Sequence, residues 1–151
     1  MMNSNQSLNN QFNSRSKKFA IWFVVISTLG FFDALYLTIS HYSGSGLNCF
    51  VLKGCDVVAT SQYALMLGVP VALLGAIYYF FVLLTSIFSL DIQSEKVLLF
   101  LSRITVIGFL FSLWFLFAQI FLIHALCTYC LISFVTSTAL FVMGMVFLRK
   151  K

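Results

Sequence analysis

Four apolar stretches, each about as long as a bilayer is thick, leave this chain little choice of fold. Phe19 to Ser40 is apolar except for Asp33, and Leu65 to Leu90 carries no charge. Val97 to Ile123 is interrupted only by Arg103, and Ala125 to Leu148 is apolar throughout. A helix needs about 20 such residues to cross the hydrocarbon. Backbone polar groups in lipid must be satisfied within the segment, so each stretch reads as a helix. With 61% of its 151 residues hydrophobic and only 9% charged, the chain is not a soluble domain. The predicted fold is an all-α integral membrane protein, one four-transmembrane-helix bundle. The first stretch follows basic residues as a signal peptide would, but it is too long and lacks a small-x-small cleavage site. Pro70 sits near the start of the second stretch, where a helix tolerates a missing N–H.

The flanks set an orientation. Residues 1–18 are rich in Asn, Ser and Gln and are expected to be disordered; 19–148 form the membrane domain; 149–151 are a basic tail. Arg15, Lys17 and Lys18 precede the first span, Arg149, Lys150 and Lys151 follow the last, and Lys96 and Arg103 bracket the connection between the middle two. The opposite side has only Lys53, partly offset by Asp56. The net charge of +5 is thus a topological signal and not a nucleic-acid footprint, and it puts both termini in the cytoplasm. Spans three and four are joined by almost nothing and must form an antiparallel hairpin. The outward loop, His41 to Ala64, is the one sizeable extramembrane feature. Its first half, with Gly44, Gly46 and Gly54, is expected to be mobile. Its second half, from Asp56 to Ala64, is expected to form a short interfacial helix with Asp56 near its N-cap.

The chemistry lies in four cysteines. Cys49 and Cys55 share the outer loop, and Cys127-Thr128-Tyr129-Cys130 opens the last span. Thiols at i and i+3 of a helix share a face, close enough to form and break a disulfide. A second pair on a tether can reach the first and pass two electrons to it. All four lie at the outer side, where disulfides persist. Cys127, at a helix N-terminus, is favoured as a thiolate, and His124 one turn earlier adds to this when protonated. Cys130 is one turn deeper and faces a lipid-soluble partner, of which quinones are the common two-electron acceptors. Two other readings stand beside this one. The first takes the pairs as purely structural disulfides, which a Cys-x-x-Cys within a helix strains. The second takes the chain as a soft-metal carrier for mercury or copper, which would need a cysteine pair near the cytoplasmic face.

Other polar residues carry weaker signals. Asp33 lies in the outer half of span one, an expensive place for a carboxylate, and reads either as a modulator of the loop thiols or as an interfacial acid. Gln119 is placed to hydrogen-bond a quinone carbonyl or a neighbouring helix. Arg103 reads as a snorkelling residue and His41 as loop surface.

The loop pair Cys49/Cys55, the run Ser61 to Gly75, the patch Asp33-Ala-Leu-Tyr-Leu-Thr38 and the terminal Cys127-Thr-Tyr-Cys130 resemble the bacterial branch of the vitamin K epoxide reductase family over residues 19–148. The resemblance implies a four-helix bundle around a quinone pocket near the outer face of a bacterial cytoplasmic membrane. It implies ubiquinone or menaquinone as co-substrate and no metal. Cys130 would contact the quinone, Cys127 would exchange with Cys55, and Cys49 would take electrons from a thioredoxin-fold partner. The serine matching Ser61 is a pocket-side residue in that family. Many bacterial members carry a fused thioredoxin-like domain; this chain ends at Lys151, so a separate thioredoxin-fold thiol oxidase is the expected partner. Animal members have a pocket asparagine where this chain reads Val71-Ala72, so epoxide reduction does not follow from the resemblance.

Overall fold

A computed structural model describes residues 2–44, 54–92 and 95–149. Residues 45–53 of the loop's first half, with Gly46, Cys49 and Lys53, and Lys150 and Lys151 lie outside the described residues. Four long helices dominate: α1 (Met2–Ser43), α3 (Val71–Ile92), α4 (Glu95–Phe117) and α5 (Thr128–Arg149), with the short α2 (Cys55–Thr60) between the first two. Each long helix contains a span fit to cross a membrane: Ser16–Ser43, Val71–Ile92, Lys96–Ile123 and Thr128–Arg149. The outward faces carry the apolar load expected of lipid contact. Trp22, Leu29, Phe32, Ile107 and Val135 are all about 60% exposed, a belt that water would not tolerate.

The first helix starts well before Phe19. Residues 2–18, expected to be disordered, continue α1. Neither glycine nor proline occurs before Gly30, so a helix already nucleated in the span extends outward with only the propagation step to meet. α1 stops at Gly44, whose φ of +62 is the left-handed conformation that caps helices.

The second span is shorter than the apolar run suggests. Leu65–Met66 and Val69–Pro70 pair antiparallel as β1 and β2, Leu65 opposite Pro70 and Met66 opposite Val69. The two-residue turn between them, Leu67-Gly68, has φ of +54 and +82, the sign a tight hairpin with the native twist requires at both positions. Helix α3 therefore begins after Pro70 and not at Leu65. Within the loop, Gly54 occupies the N-cap position of α2 and Asp56 falls in its first turn.

α1 packs along α3 and α5, and α4 and α5 form the expected hairpin. Small residues let the backbones approach. A methyl group on Gly144 of α5 would lie 2.8 Å from Thr105 Oγ1 and 3.2 Å from Ser102 Cα of α4. Several buried hydroxyls are returned to the backbone: Ser27, Ser86 and Ser102 each donate to the carbonyl four residues back, at 2.6, 2.6 and 2.8 Å. Phe23, Leu98, Leu101 and Leu140 fill the bundle at the end nearer the chain termini, all fully buried.

Candidate active site

The other end of the bundle is hollow. A cavity of about 350 Å³ opens between α1, α3, α4 and α5, a volume in the range of small-molecule sites, roughly 300–1,000 Å³. Its wall is largely aliphatic and aromatic, with Leu37, Val71, Phe111, Phe115 and Phe134 among its members. Cys127 and Cys130 open onto it.

The backbone places Cys127 with care. α4 widens at its end into a π-helical turn, Ala118–Ile123, which His124 terminates with φ +53. π-turns of this kind often mark functional sites. The Gln119 carbonyl accepts the N–H of His124 and, at 3.3 Å, that of Ala125, so the chain reverses tightly. Cys127 then sits in the N-cap position of α5, its carbonyl accepting the Leu131 N–H at 3.1 Å. Its own N–H donates to Gln119 Oε1 at 3.2 Å, and Gln119 is 1% exposed. A buried amide without that acceptor would cost about 1–3 kcal/mol, so Gln119 holds the reactive segment in register.

At the thiol itself, Cys130 donates a hydrogen bond from its side chain to Cys127. The N–H groups of Cys130 and Tyr129 add to it against the opposing effect of burial, and the Cys127 thiol is lowered from 9.0 to about 7. The helix N-terminus expected to favour a thiolate does so, with Cys130 as the larger contributor. Both residues are free thiols, while Cys55 is disulfide-bonded.

Cys55 lies against this site. It forms one buried cluster with Val58 and Cys127, flanked by Leu37, Phe115, Ile123 and Cys130. Gly54 makes the approach possible: a methyl there would lie 2.7 Å from the Leu126 carbonyl oxygen and 3.0 Å from its nitrogen. The start of α2 is thus seated on the backbone just before Cys127. Asp33 is within electrostatic reach of Cys127 and Cys130, and its buried Oδ2 has no hydrogen-bond partner.

Ser61 is pocket-side by the resemblance, and His124 is the expected modulator of Cys127. The Ser61 hydroxyl donates to the Val58 carbonyl at 2.7 Å, closing the end of α2, and Ser61 is not in the cavity wall. The His124 side chain is exposed and also outside the wall. Conversely, Tyr78, Tyr79, Ser112 and Ser133 line the cavity although nothing in the sequence distinguished them from packing residues. The Tyr79 hydroxyl donates to the Ser133 carbonyl at 2.8 Å and lies 2.9 Å from Thr136 Oγ1, tying α3 to the turn of α5 after Cys130.

A bundle of four membrane-length helices, a Cys-x-x-Cys at the mouth of an apolar cavity and a third cysteine buried against it form a specific combination. The profile of the vitamin K epoxide reductase family matches residues 21–145, most of the chain. The chain belongs to this family. No curated protein matches it significantly in sequence. Membership in the vitamin K epoxide reductase family makes it a multi-pass membrane oxidoreductase of thiols and disulfides. Proteins of that family generally use a quinone as acceptor and work with thioredoxin-like partners.

Proposed function

We propose that this protein is a thiol–quinone oxidoreductase that draws electrons from a separate thioredoxin-fold thiol oxidase outside the cytoplasm and delivers them to a membrane quinone. The observation that carries the reading is the burial of Cys55 against Cys127 at the edge of a cavity that Cys127 and Cys130 both line.

The partner's dithiol first reduces the loop pair Cys49/Cys55 and becomes a disulfide. The Cys55 thiolate attacks Cys127 of an oxidised Cys127–Cys130 pair, releasing the Cys130 thiolate. Cys49 resolves the mixed disulfide, leaving the loop oxidised and Cys127/Cys130 as a dithiol. That dithiol passes two electrons and two protons to the quinone, giving the quinol and restoring the disulfide. An oxidised Cys55 beside two free thiols is the distribution that follows transfer from the loop and precedes reduction of the quinone. A respiring cell keeps its quinone pool oxidised, so the net flow is toward disulfide formation. The asymmetry of Lys and Arg supports an outward-facing site with both termini in the cytoplasm.

The test is thiol trapping in isolated membranes with and without added quinone, with a membrane-impermeant reagent on the outside. Quinone should convert Cys127/Cys130 from trapped thiols to a disulfide, and after reduction Cys49 and Cys55 should label from outside. A Cys127/Cys130 pair indifferent to quinone would favour structural disulfides or a soft-metal carrier. Loop labelling only from the cytoplasmic side would overturn the orientation.

A further inference from the structure

Tyr78 and Tyr79 are consecutive on α3, and each ring lies over a glycine of a neighbouring helix. A methyl on Gly30 of α1 would overlap the Tyr79 ring, and one on Gly108 of α4 would overlap Cζ and the hydroxyl of Tyr78. Both side chains line the cavity, and the hydroxyls differ. That of Tyr79 is bonded to Ser133 and Thr136 of α5. That of Tyr78 is buried and has no partner. A phenol buried in an apolar wall without a partner is destabilising. Thr128 and Ser137 also leave a buried hydroxyl open, but of the three only Tyr78 lines the cavity. Gly108 adds to the contrast, since its missing side chain makes room for the hydroxyl just where no acceptor stands.

Two other polar groups of the wall are committed, while among the described residues Ser112 and His41 carry no hydrogen bond and stand as competing donors. Gln119 Oε1 holds the Cys127 N–H, and Tyr79 is bound to α5. The Gln119 amide nitrogen is a third competing donor, and Gln119→Glu, which keeps the acceptor of the Cys127 N–H, should leave the quinone carbonyl stretch unchanged. We propose that the Tyr78 hydroxyl, seated over Gly108, donates a hydrogen bond to a carbonyl oxygen of the quinone and so orients the ring in the cavity beside Cys127 and Cys130. This rests on the quinone reading above. Tyr78 is then a substrate-binding residue that acts on affinity and orientation, while electron transfer stays with the cysteines.

The test is Tyr78→Phe, which keeps the ring and removes only the oxygen, assayed in the full-length protein with a water-soluble ubiquinone analogue. Loss of one neutral hydrogen bond should raise the KM for quinone by about three- to ten-fold. The rate at which the loop pair reduces an oxidised Cys127–Cys130 pair should be unchanged. In infrared difference spectra with carbonyl-labelled quinone, one C=O stretch should lie lower in the parent and return to its unbonded frequency in Tyr78→Phe. The ligand-free variant should be as heat-stable as the parent or more so, because the lost hydroxyl had no partner. Gly108→Ala, which displaces the hydroxyl, should reproduce the spectral change. An unaltered KM and carbonyl stretch in Tyr78→Phe would overturn the assignment and leave the functional reading standing. Failure of the parent to bind or reduce the quinone would remove both. A fall in ligand-free stability would mean a structural hydroxyl, also against the proposal.

Discussion

The two ends of the bundle are built from the same helices and obey opposite rules. At the end nearer the termini, Phe23, Leu98, Leu101 and Leu140 interlock without exposure, and Gly144 lets α4 and α5 come close. At the other end the helices enclose a cavity of about 350 Å³, and the described residues leave regular geometry at Gly44, at the Leu67-Gly68 turn, in the π-turn after Phe117 and at His124. Strain and voids cost stability, and here they gather where the thiols are. The packed end supplies the rigidity that lets the hollow end hold Cys55, Cys127 and Cys130 beside an open site. Stability and chemistry are therefore separable by mutation.

The sharpest test removes the deeper thiol at the hollow end. Cys130→Ala should take quinone reduction to background while leaving the fold intact and still permitting a mixed disulfide between Cys127 and the loop, visible on non-reducing gels. Normal turnover in that variant would show that Cys130 does not donate to the quinone.

A paired substitution addresses the contrast directly. Leu140→Ala opens a void in the packed end and should cost roughly 1–3 kcal/mol in denaturant unfolding, chiefly the cavity contribution, because the alternative solvent for a helix is lipid. Phe115→Ala enlarges a space that already exists and should cost less than about 1 kcal/mol while raising the KM for quinone. Equal losses would mean that the two ends carry the fold alike.

The smallest effect is in pH. Because hydrogen bonding lowers the Cys127 thiol to about 7, its alkylation, followed at that residue by mass spectrometry, should be slow below pH 7, rise through it and level off above. In Cys130→Ala the largest donor is gone, and the midpoint should move toward the ordinary 9.0.

Much of the hollow end was legible residue by residue, but not how its parts meet. The Cys-x-x-Cys announces its own geometry, since i and i+3 share a helix face wherever the helix goes. The sequence offers Gln119 a quinone carbonyl or a neighbouring helix as partner; its side-chain oxygen accepts a backbone N–H eight residues on. The resemblance puts Ser61 on the pocket side, and a carbonyl within its own turn binds its hydroxyl, a local competition to which serine is prone. The hairpin from Leu65 to Pro70 was hidden in a continuous apolar run; Gly68 was its one turn signal, because leucine seldom adopts the positive φ found at Leu67.

Sequence alone determined the number and rough extent of the membrane helices, since hydropathy is a local property and lipid leaves the backbone no other conformation. It also determined that two cysteine pairs exist and that one of them shares a helix turn. Only the tertiary structure decided that Cys55 lies against Cys127, through the close seat of Gly54 on Leu126. It alone separated Tyr79, bound to α5, from Tyr78, facing an empty space. Two adjacent tyrosines are alike in hydropathy; the rotation of α3 between two glycines, which is fixed by packing among distant segments, gives one hydroxyl a partner and the other none.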